Sequence, residues 1–492
     1  MKLIRSTFAL PLQFRPTAIT LAVGALIASS AVTHAGTSYD SSGDASYNKL
    51  GDLTIYQPSS ESNKPTLTLM LDKSGSMKGD YSFIRDLTFE KVSVYRASRS
   101  RGCDYYRCYY DYFYFFNRND VPSNLNRDGW IDKYTVKDLK GKDNQLCVMR
   151  DNDISNVNST ATIYNPIRIS PDGINLEYCT IGTEKVYDRM SKLKLALIEL
   201  LAFPNLNEEI VMGVGAFGYA NSGDSIRQGR IMVAAKPLGA AHKQKIKDFL
   251  KGLEPSGGTP LASAYADAGA YMLGNDTRGG YSSNSYSGMM ATYDSDIVRG
   301  SGASQSYIAP QTQECGAKGV YLLTDGFPNS VNNETALQNM MGTALNTSAL
   351  SCPSSGGLLE GDSSSGRWEC MGEFAKQLRT KKNVKTAMVG FGADFSTVDD
   401  KDYYQSKEII LNKFTDSNGA AYKYNKKFYN CSAISTSNPD ARNACNIGME
   451  SGIYDGVGGY GQGGFYFAKD TKDIVGSVLS VIEDLKAELP SV

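Results

Sequence analysis

An α/β fold, with a doubly wound and mainly parallel sheet flanked by helices, is predicted by three features of this sequence. Short apolar runs alternate with stretches whose apolar residues recur at helical spacing. Most runs end in Gly, Ser, Thr or Asp, and two of them end at an aspartate. Strand and helix patterns in alternation place the strands side by side in parallel with helices on both faces. Ligands of such sheets bind beyond the carboxyl ends of the strands.

The elements follow in order. Leu67-Thr-Leu-Met-Leu71 is a buried strand ending at Asp72. Over residues 188–203, Met190, Leu193, Leu197, Leu200 and Leu201 recur every three or four positions and predict a helix with one buried face. Glu209-Ile-Val-Met-Gly-Val-Gly-Ala-Phe217 is the next strand, residues 241–253 a helix, and residues 260–273 a second helix reached through Gly257-Gly-Thr259. Val320-Tyr-Leu-Leu323 and residues 384–391 are central strands, with a helix over 371–379 between them. Gly464-Phe-Tyr-Phe-Ala468 is a late strand, and Ile474, Val478, Val481, Ile482 and Leu485 form the apolar stripe of a last helix. The domain runs over 66–489, after a lead segment at 36–65, with long insertions at about 78–187 and 277–314 that emerge on the side of Asp72.

Composition sets the compartment. Residues 1–35 carry Lys2, Arg5 and Arg15, an apolar core over 18–32, and Thr33-His-Ala35 before Gly36. That is the pattern of a secretory signal cleaved after Ala35, and its apolar core is short for a membrane span. Fifty-one basic residues against fifty-two acidic ones create no global field for nucleic acid or anionic lipid. Nine cysteines in an exported chain imply disulfides with one sulfur left over. Sequence does not fix the pairing; proximity suggests Cys103 with Cys108, Cys147 with Cys179, Cys352 with Cys370, and Cys431 with Cys445. Cys315 is then the candidate free thiol, read either as a buried core sulfur or as a redox-sensitive or intermolecular one.

The chemistry concentrates at Asp72-x-Ser74-x-Ser76, directly past the first strand. One carboxylate and two hydroxyls suit a small hard cation that keeps part of its water. The motif gains weight from Thr259, in Gly257-Gly-Thr-Pro-Leu261, and from Asp325, which ends Val320-Tyr-Leu-Leu-Thr-Asp325. Two carboxylates with three neutral hydroxyls leave a bound cation electrophilic and its coordination incomplete. The plainer reading is a set of turn-forming residues at strand ends, or a cation that only staples the loops.

These three segments, in this order, strongly resemble the metal-ion-dependent adhesion site of a von Willebrand factor A domain. The resemblance implies Mg2+, with Mn2+ or Ca2+ as substitutes, held by Asp72, Ser74, Ser76, Thr259 and Asp325. It also implies an open position taken by a carboxylate from a protein ligand, and a Thr259 that contacts the ion when the site is engaged. Removal of Asp72 or Asp325 is expected to abolish binding while leaving the sheet largely intact. Within that class, the signal peptide, Leu71-Asp-Lys-Ser-Gly-Ser-Met77, Cys315-Gly-Ala-Lys-Gly-Val-Tyr-Leu-Leu-Thr-Asp-Gly326 and Gly463-Gly-Phe-Tyr-Phe-Ala468 resemble the amino-terminal region of the PilY1/PilC family, tip-associated adhesins of bacterial type IV pili. This implies a module for pilus assembly, surface attachment and surface sensing, reaching the pilus tip through the periplasm. Its implied partners are minor pilins, other tip components, and host or abiotic surfaces. Family members continue into a β-propeller, whereas this sequence stops after Leu485-Lys-Ala-Glu-Leu-Pro-Ser-Val492, as a fragment, a truncated product or a stand-alone relative. The alternative is a secreted von Willebrand A binding protein unrelated to pili.

Other motifs carry less. Cys103-Asp-Tyr-Tyr-Arg-Cys-Tyr-Tyr-Asp-Tyr-Phe-Tyr-Phe-Phe116 reads both as an adhesive aromatic surface and as a hairpin closed by a disulfide. Asn124, Asn126, Asp128 and Asp132 alternate around a glycine turn as in a second, calcium-binding loop, but Thr135 stands where such a loop places its bidentate glutamate, and an Asx-rich turn is the competing reading. Gly213-Val-Gly-Ala-Phe-Gly218 fits a dinucleotide fingerprint yet is followed by no helix pattern. His242, alone in the mature chain, has no nucleophile motif pointing to it, so the sequence reads as a non-enzyme.

Overall fold

The computed structural model describes residues 64–488 apart from 79–93, 104–107, 116–117, 122, 132–166, 182–183, 220–227, 278–293, 302–303, 311–315, 330, 332, 354–357, 359–365, 393–394, 396–397, 399–402, 416–420 and 452–458. In chain order the strands begin with β1 (Thr66–Asp72), a hairpin of β2 (Val94–Cys103) and β3 (Cys108–Phe115), and β4 (Asn126–Ile131). A second small sheet, β5 (Ile167–Ile169), β6 (Leu176–Ile181) and β7 (Glu184–Tyr187), leads into α1 (Arg189–Ala202). Then come β8 (Val211–Tyr219), β9 (Gln228–Pro237), α2 (Ala240–Lys251), α3 (Leu261–Leu273), the short pair β10 (Val298–Arg299) and β11 (Ser306–Tyr307), and β12 (Lys318–Thr324). Finally, α4 (Glu334–Ala344), α5 (Trp368–Lys382), β13 (Val384–Phe391), β14 (Tyr403–Thr415), β15 (Ala421–Tyr429), α6 (Pro439–Gly448), β16 (Gln462–Ala468) and α7 (Thr471–Ala487) complete the described chain.

The central sheet has the order β16-β13-β12-β1-β8-β9, all parallel except β9, which runs antiparallel to β8 at the edge. Residues of β1 alternate between two cores, as the two-residue strand period requires. Leu67, Leu69 and Leu71 face α1, α2 and α7, packing with Leu193, Ile246 and Val478, while Met70 faces α3 to α6 with Leu261, Met341 and Phe374. Both faces of the sheet are covered, which is why its central strands read as continuous apolar runs. From β1 the chain builds first to one side, through β8, and then crosses to the other, through β12. The carboxyl ends of β1 and β12 are therefore the topological switch point, where α/β sheets open a crevice.

The architecture is the doubly wound α/β fold expected, with elements the sequence pattern does not disclose. The antiparallel edge strand β9, helices α4 and α6, and the hairpin β14–β15 have no counterpart in the sequence reading, and α5 extends beyond 371–379 at both ends. Three disulfides fall where proximity suggests: Cys103–Cys108 closes the tyrosine-rich hairpin, Cys352–Cys370 ties the approach to α5, and Cys431–Cys445 ties β15 to α6. Such bonds form in an oxidising compartment, consistent with export. The segment read as a secretory signal, Cys147 and Cys315 lie outside the described residues, as does the side chain of Cys179.

Candidate metal centre

Asp72 is the last residue of β1 and Asp325 directly follows β12, so adjacent parallel strands deliver two carboxylates to one point. Both are fully buried. After Asp72 the chain turns through Ser74 into a single 3-10 turn, Gly75–Met77, whose buried Met77 anchors it in the core beneath α1. That turn presents both hydroxyls to Asp325: Ser76 Oγ donates to Oδ1 at 2.7 Å and Ser74 Oγ lies 3.3 Å from the same oxygen, with 2.9 Å between the hydroxyls. Asp72 is fixed from the other side, accepting from Ser74 N–H at 2.7 Å, Thr324 Oγ1 at 3.0 Å and Asp325 N–H at 3.2 Å.

The third segment is brought in by backbone. Gly75 N–H donates to Gly257 O at 3.0 Å, Ser256 N–H to Lys73 O at 2.6 Å, and Lys73 N–H to Phe217 O at 2.9 Å. Gly257 has φ +84°, and a Cβ there would lie 1.7 Å from Gly218 O, so the two loops meet backbone to backbone where only glycine fits. Thr259 follows at the mouth of α3, its N–H bonded to Asn329 Oδ1 at 3.0 Å and its carbonyl accepting from Asn329 N–H at 2.8 Å. Asn329 lies four residues beyond Asp325, so the Thr259 and Asp325 loops are stitched together. Asp72, at the end of β1, and Ser74, Ser76, Thr259 and Asp325, in the adjoining loops, thus lie at one end of the sheet; hydrogen bonds join Asp72, Ser74 and Ser76 to Asp325, whereas Thr259 is tied in through its backbone.

Sequence reasoning missed Arg189. It opens α1, is fully buried, and its Nη1 donates to Asp325 O at 3.0 Å and to Asp325 Oδ2 at 3.1 Å. The two oxygens of Asp325 are therefore divided, Oδ1 to the serines and Oδ2 to the guanidinium. A charged residue at a helix start ordinarily reads as solvent-facing, so its only signal was its place beside Asp188, the helix cap.

Burial pushes the Asp72 carboxyl well above its ordinary value, the neighbouring Asp325 adds to that, and the hydrogen bonds from Ser74 and Asp325 oppose it. A cation between the two would relieve both costs, and two carboxylates with neutral hydroxyls are a donor set that suits a hard divalent ion. The residues fit.

Asp188 caps α1 by accepting from Ser191 N–H at 2.7 Å. Burial pushes its carboxyl up to about 7, with Glu177 adding and Ser191 and Lys194 opposing. Because the folded value lies above the ordinary 3.8, the unfolded chain ionises first, and the fold loses stability as pH rises between those two values. Asp188→Asn keeps the capping oxygen. It is expected to flatten that loss and to stabilise the protein by about 1–3 kcal/mol near pH 8. Urea titrations near pH 4 and near pH 8 measure this; the same pH dependence in both proteins would refute it.

The other nominated residues are placed as follows. Asn126 and Asp128 lie within β4, paired to β2, and the Asp128 carboxylate accepts from Arg96 Nε at 3.1 Å and Ser98 Oγ at 2.9 Å. Asn124 precedes that strand, and Asp132 lies outside the described residues. Gly213 to Gly218 are all in β8, as a small-residue strand. His242 is buried, and its Nε2 donates to Met212 O at 2.7 Å, a packing role that docks α2 onto β8. Glu334, Glu369 and Cys370 also converge, but the Cys370 sulfur is held in its disulfide and Glu334 pairs with Arg367.

Compared with known proteins, the sequence matches no protein-family model and no curated protein. Among solved structures, the pilus adhesin SpaC from Lactobacillus rhamnosus GG is similar at 12% identity and a TM-score of 0.29, over 80% of this chain and 42% of that one. The open conformation of SpaC gives 13% identity and a TM-score of 0.27 over the same shares. This chain thus spans 42% of the length of SpaC, and likeness at these values carries no argument about the site. The functional reading rests on the residues at the ends of β1 and β12.

Proposed function

We propose that this chain is an exported, cation-dependent binding module of the adhesin type, a von Willebrand A-like domain in which Asp72, Ser74, Ser76, Thr259 and Asp325 hold Mg2+, with Mn2+ or Ca2+ as substitutes. The observation that supports this best is the meeting of Ser74 and Ser76 hydroxyls on one oxygen of Asp325, directly beside Asp72. When bound, the ion supplies an electrophilic position for an acidic group of a protein ligand. The protein's own part is to hold the oxygens together at a rigid strand end and to leave one side of the site to the ligand. Resemblance of the motifs to type IV pilus tip adhesins extends this reading to minor pilins and tip components as partners and to surface attachment and sensing as the role, at the cell surface. Among the described residues, none beside Asp72 is arranged as a nucleophile and base, so we favour adhesion over catalysis.

Calorimetric titration with Mg2+ tests it. Wild-type protein is expected to bind one ion and Asp72→Ala none, with the variant's circular dichroism unchanged. In cells, retention of the protein on pili should be lost both in Asp72→Ala and on chelation. Equal Mg2+ binding by the two proteins would sink the proposal.

A further inference from the structure

We infer that Arg189 is a fixed counter-cation behind the site, which supports the metal-free fold and makes retention of the metal depend on the arrival of an acidic ligand group. This rests on the cation-site reading above.

Three observations carry it. Arg189 and Asp325 are both fully buried, so their charges face each other without water. The guanidinium makes two bonds to Asp325, one to the backbone carbonyl and one to Oδ2, which fixes it on the side away from the serine hydroxyls at Oδ1. It cannot easily retreat, because it is the first residue of α1 and Asp188 caps that helix through Ser191. Lys73, on the Asp72 turn, is instead held on Ser256 Oγ at 2.7 Å.

The charge count then decides what the site prefers. With both carboxylates ionised, Asp72 and Asp325 contribute two negative charges and Arg189 one positive, leaving a net of one negative over these three groups. A divalent ion alone overshoots to one positive, and a ligand carboxylate returns the sum to zero. Without Arg189, the ion alone would neutralise the site and the carboxylate would overshoot. Arg189 therefore shifts affinity from the ion by itself to the ion and acid together, and by linkage each strengthens the other.

Manganese titrations of wild type, Arg189→Gln and Arg189→Lys, in chloride and in acetate buffer, test this. Arg189→Gln is expected to bind Mn2+ in chloride about tenfold more tightly than wild type, and Arg189→Lys, which keeps the charge, within roughly threefold of it. Acetate should raise the apparent Mn2+ affinity of wild type but not of Arg189→Gln. Without metal, Arg189→Gln should melt below wild type and gain more on adding Mn2+. Mn2+ binding by Arg189→Gln equal to or weaker than wild type overturns the inference, and so does a wild type indifferent to acetate, which decides the matter even where the Gln variant fails to fold. If neither wild type nor either variant binds Mn2+ at all, the cation-site reading itself falls and this inference with it.

Discussion

Asp325→Ala is expected to abolish cation binding and also to cost about 3–5 kcal/mol of stability, because it strands a buried guanidinium. The Arg189 side chain and Asp325 carboxylate are each fully buried and 3.1 Å apart. Removing one partner of such a pair leaves the other desolvated and uncompensated, which is far worse than removing both. The sequence alone suggests that Asp72 and Asp325 are equivalent and that either can go with the sheet intact; Arg189 separates them. Asp72 is disfavoured as an anion by burial and by Asp325, so its removal relieves a repulsion while losing the three bonds it accepts. Denaturant midpoints measure the contrast. Adding Arg189→Met to Asp325→Ala should recover part of the lost stability, a coupling that a double-mutant cycle isolates. If Asp325→Ala proves as stable as Asp72→Ala, the buried pair does not hold the site as described.

Gly257→Ala is expected to lower stability by roughly 3–5 kcal/mol, by forcing a side chain into a left-handed backbone and into a neighbouring carbonyl. A methyl at this position would meet Gly218 O at 1.7 Å and Gly218 C at 2.7 Å, and neither backbone atom can rotate aside. The loops can separate only by breaking the bonds Gly75 N–H to Gly257 O and Ser256 N–H to Lys73 O, which set Thr259 against the Asp72 turn. Cation affinity should therefore fall along with the melting temperature, even though no donor oxygen is altered. Alanine at Ser256, one position earlier, serves as the control for local loss of a side chain, since it leaves the close approach untouched. A native melting temperature for Gly257→Ala would show that the two loops stand farther apart.

The contrast between what sequence discloses and what it hides follows burial. β1, β12 and β13 are covered on both faces, so their sequences are mostly apolar, and the aspartates that end β1 and follow β12 stand out. At the edge, β9 carries Arg230 and the half-exposed Met232 and Lys236 among its apolar residues and is kinked by register shifts, so neither period survives in its sequence. Helices α4 and α6 contain Gly342, Thr343 and Asn443, weak helix formers that win their conformation from tertiary packing and from the Asn333 and Asn438 caps. Of the candidate site, the five nominated residues stand out in the sequence because each is tied to a local motif. Arg189 does not, because its role comes from a partner 136 residues away and from no neighbour in sequence.

The place of β1 in the sheet has a mechanical meaning. It is bonded to β12 from Thr66 to Leu71 and to β8 from Thr66 to Asp72, so it is gripped along both edges for its whole length. A pull on something held at Asp72 runs along this strand and loads the two ladders in shear. Bonds in shear must fail together, whereas those of a strand peeled from an edge fail one at a time. Resistance to such a pull is set by the rate of unfolding and not by equilibrium stability. The proposed binding point, at the end of one of the two central strands, is therefore well placed to bear tension.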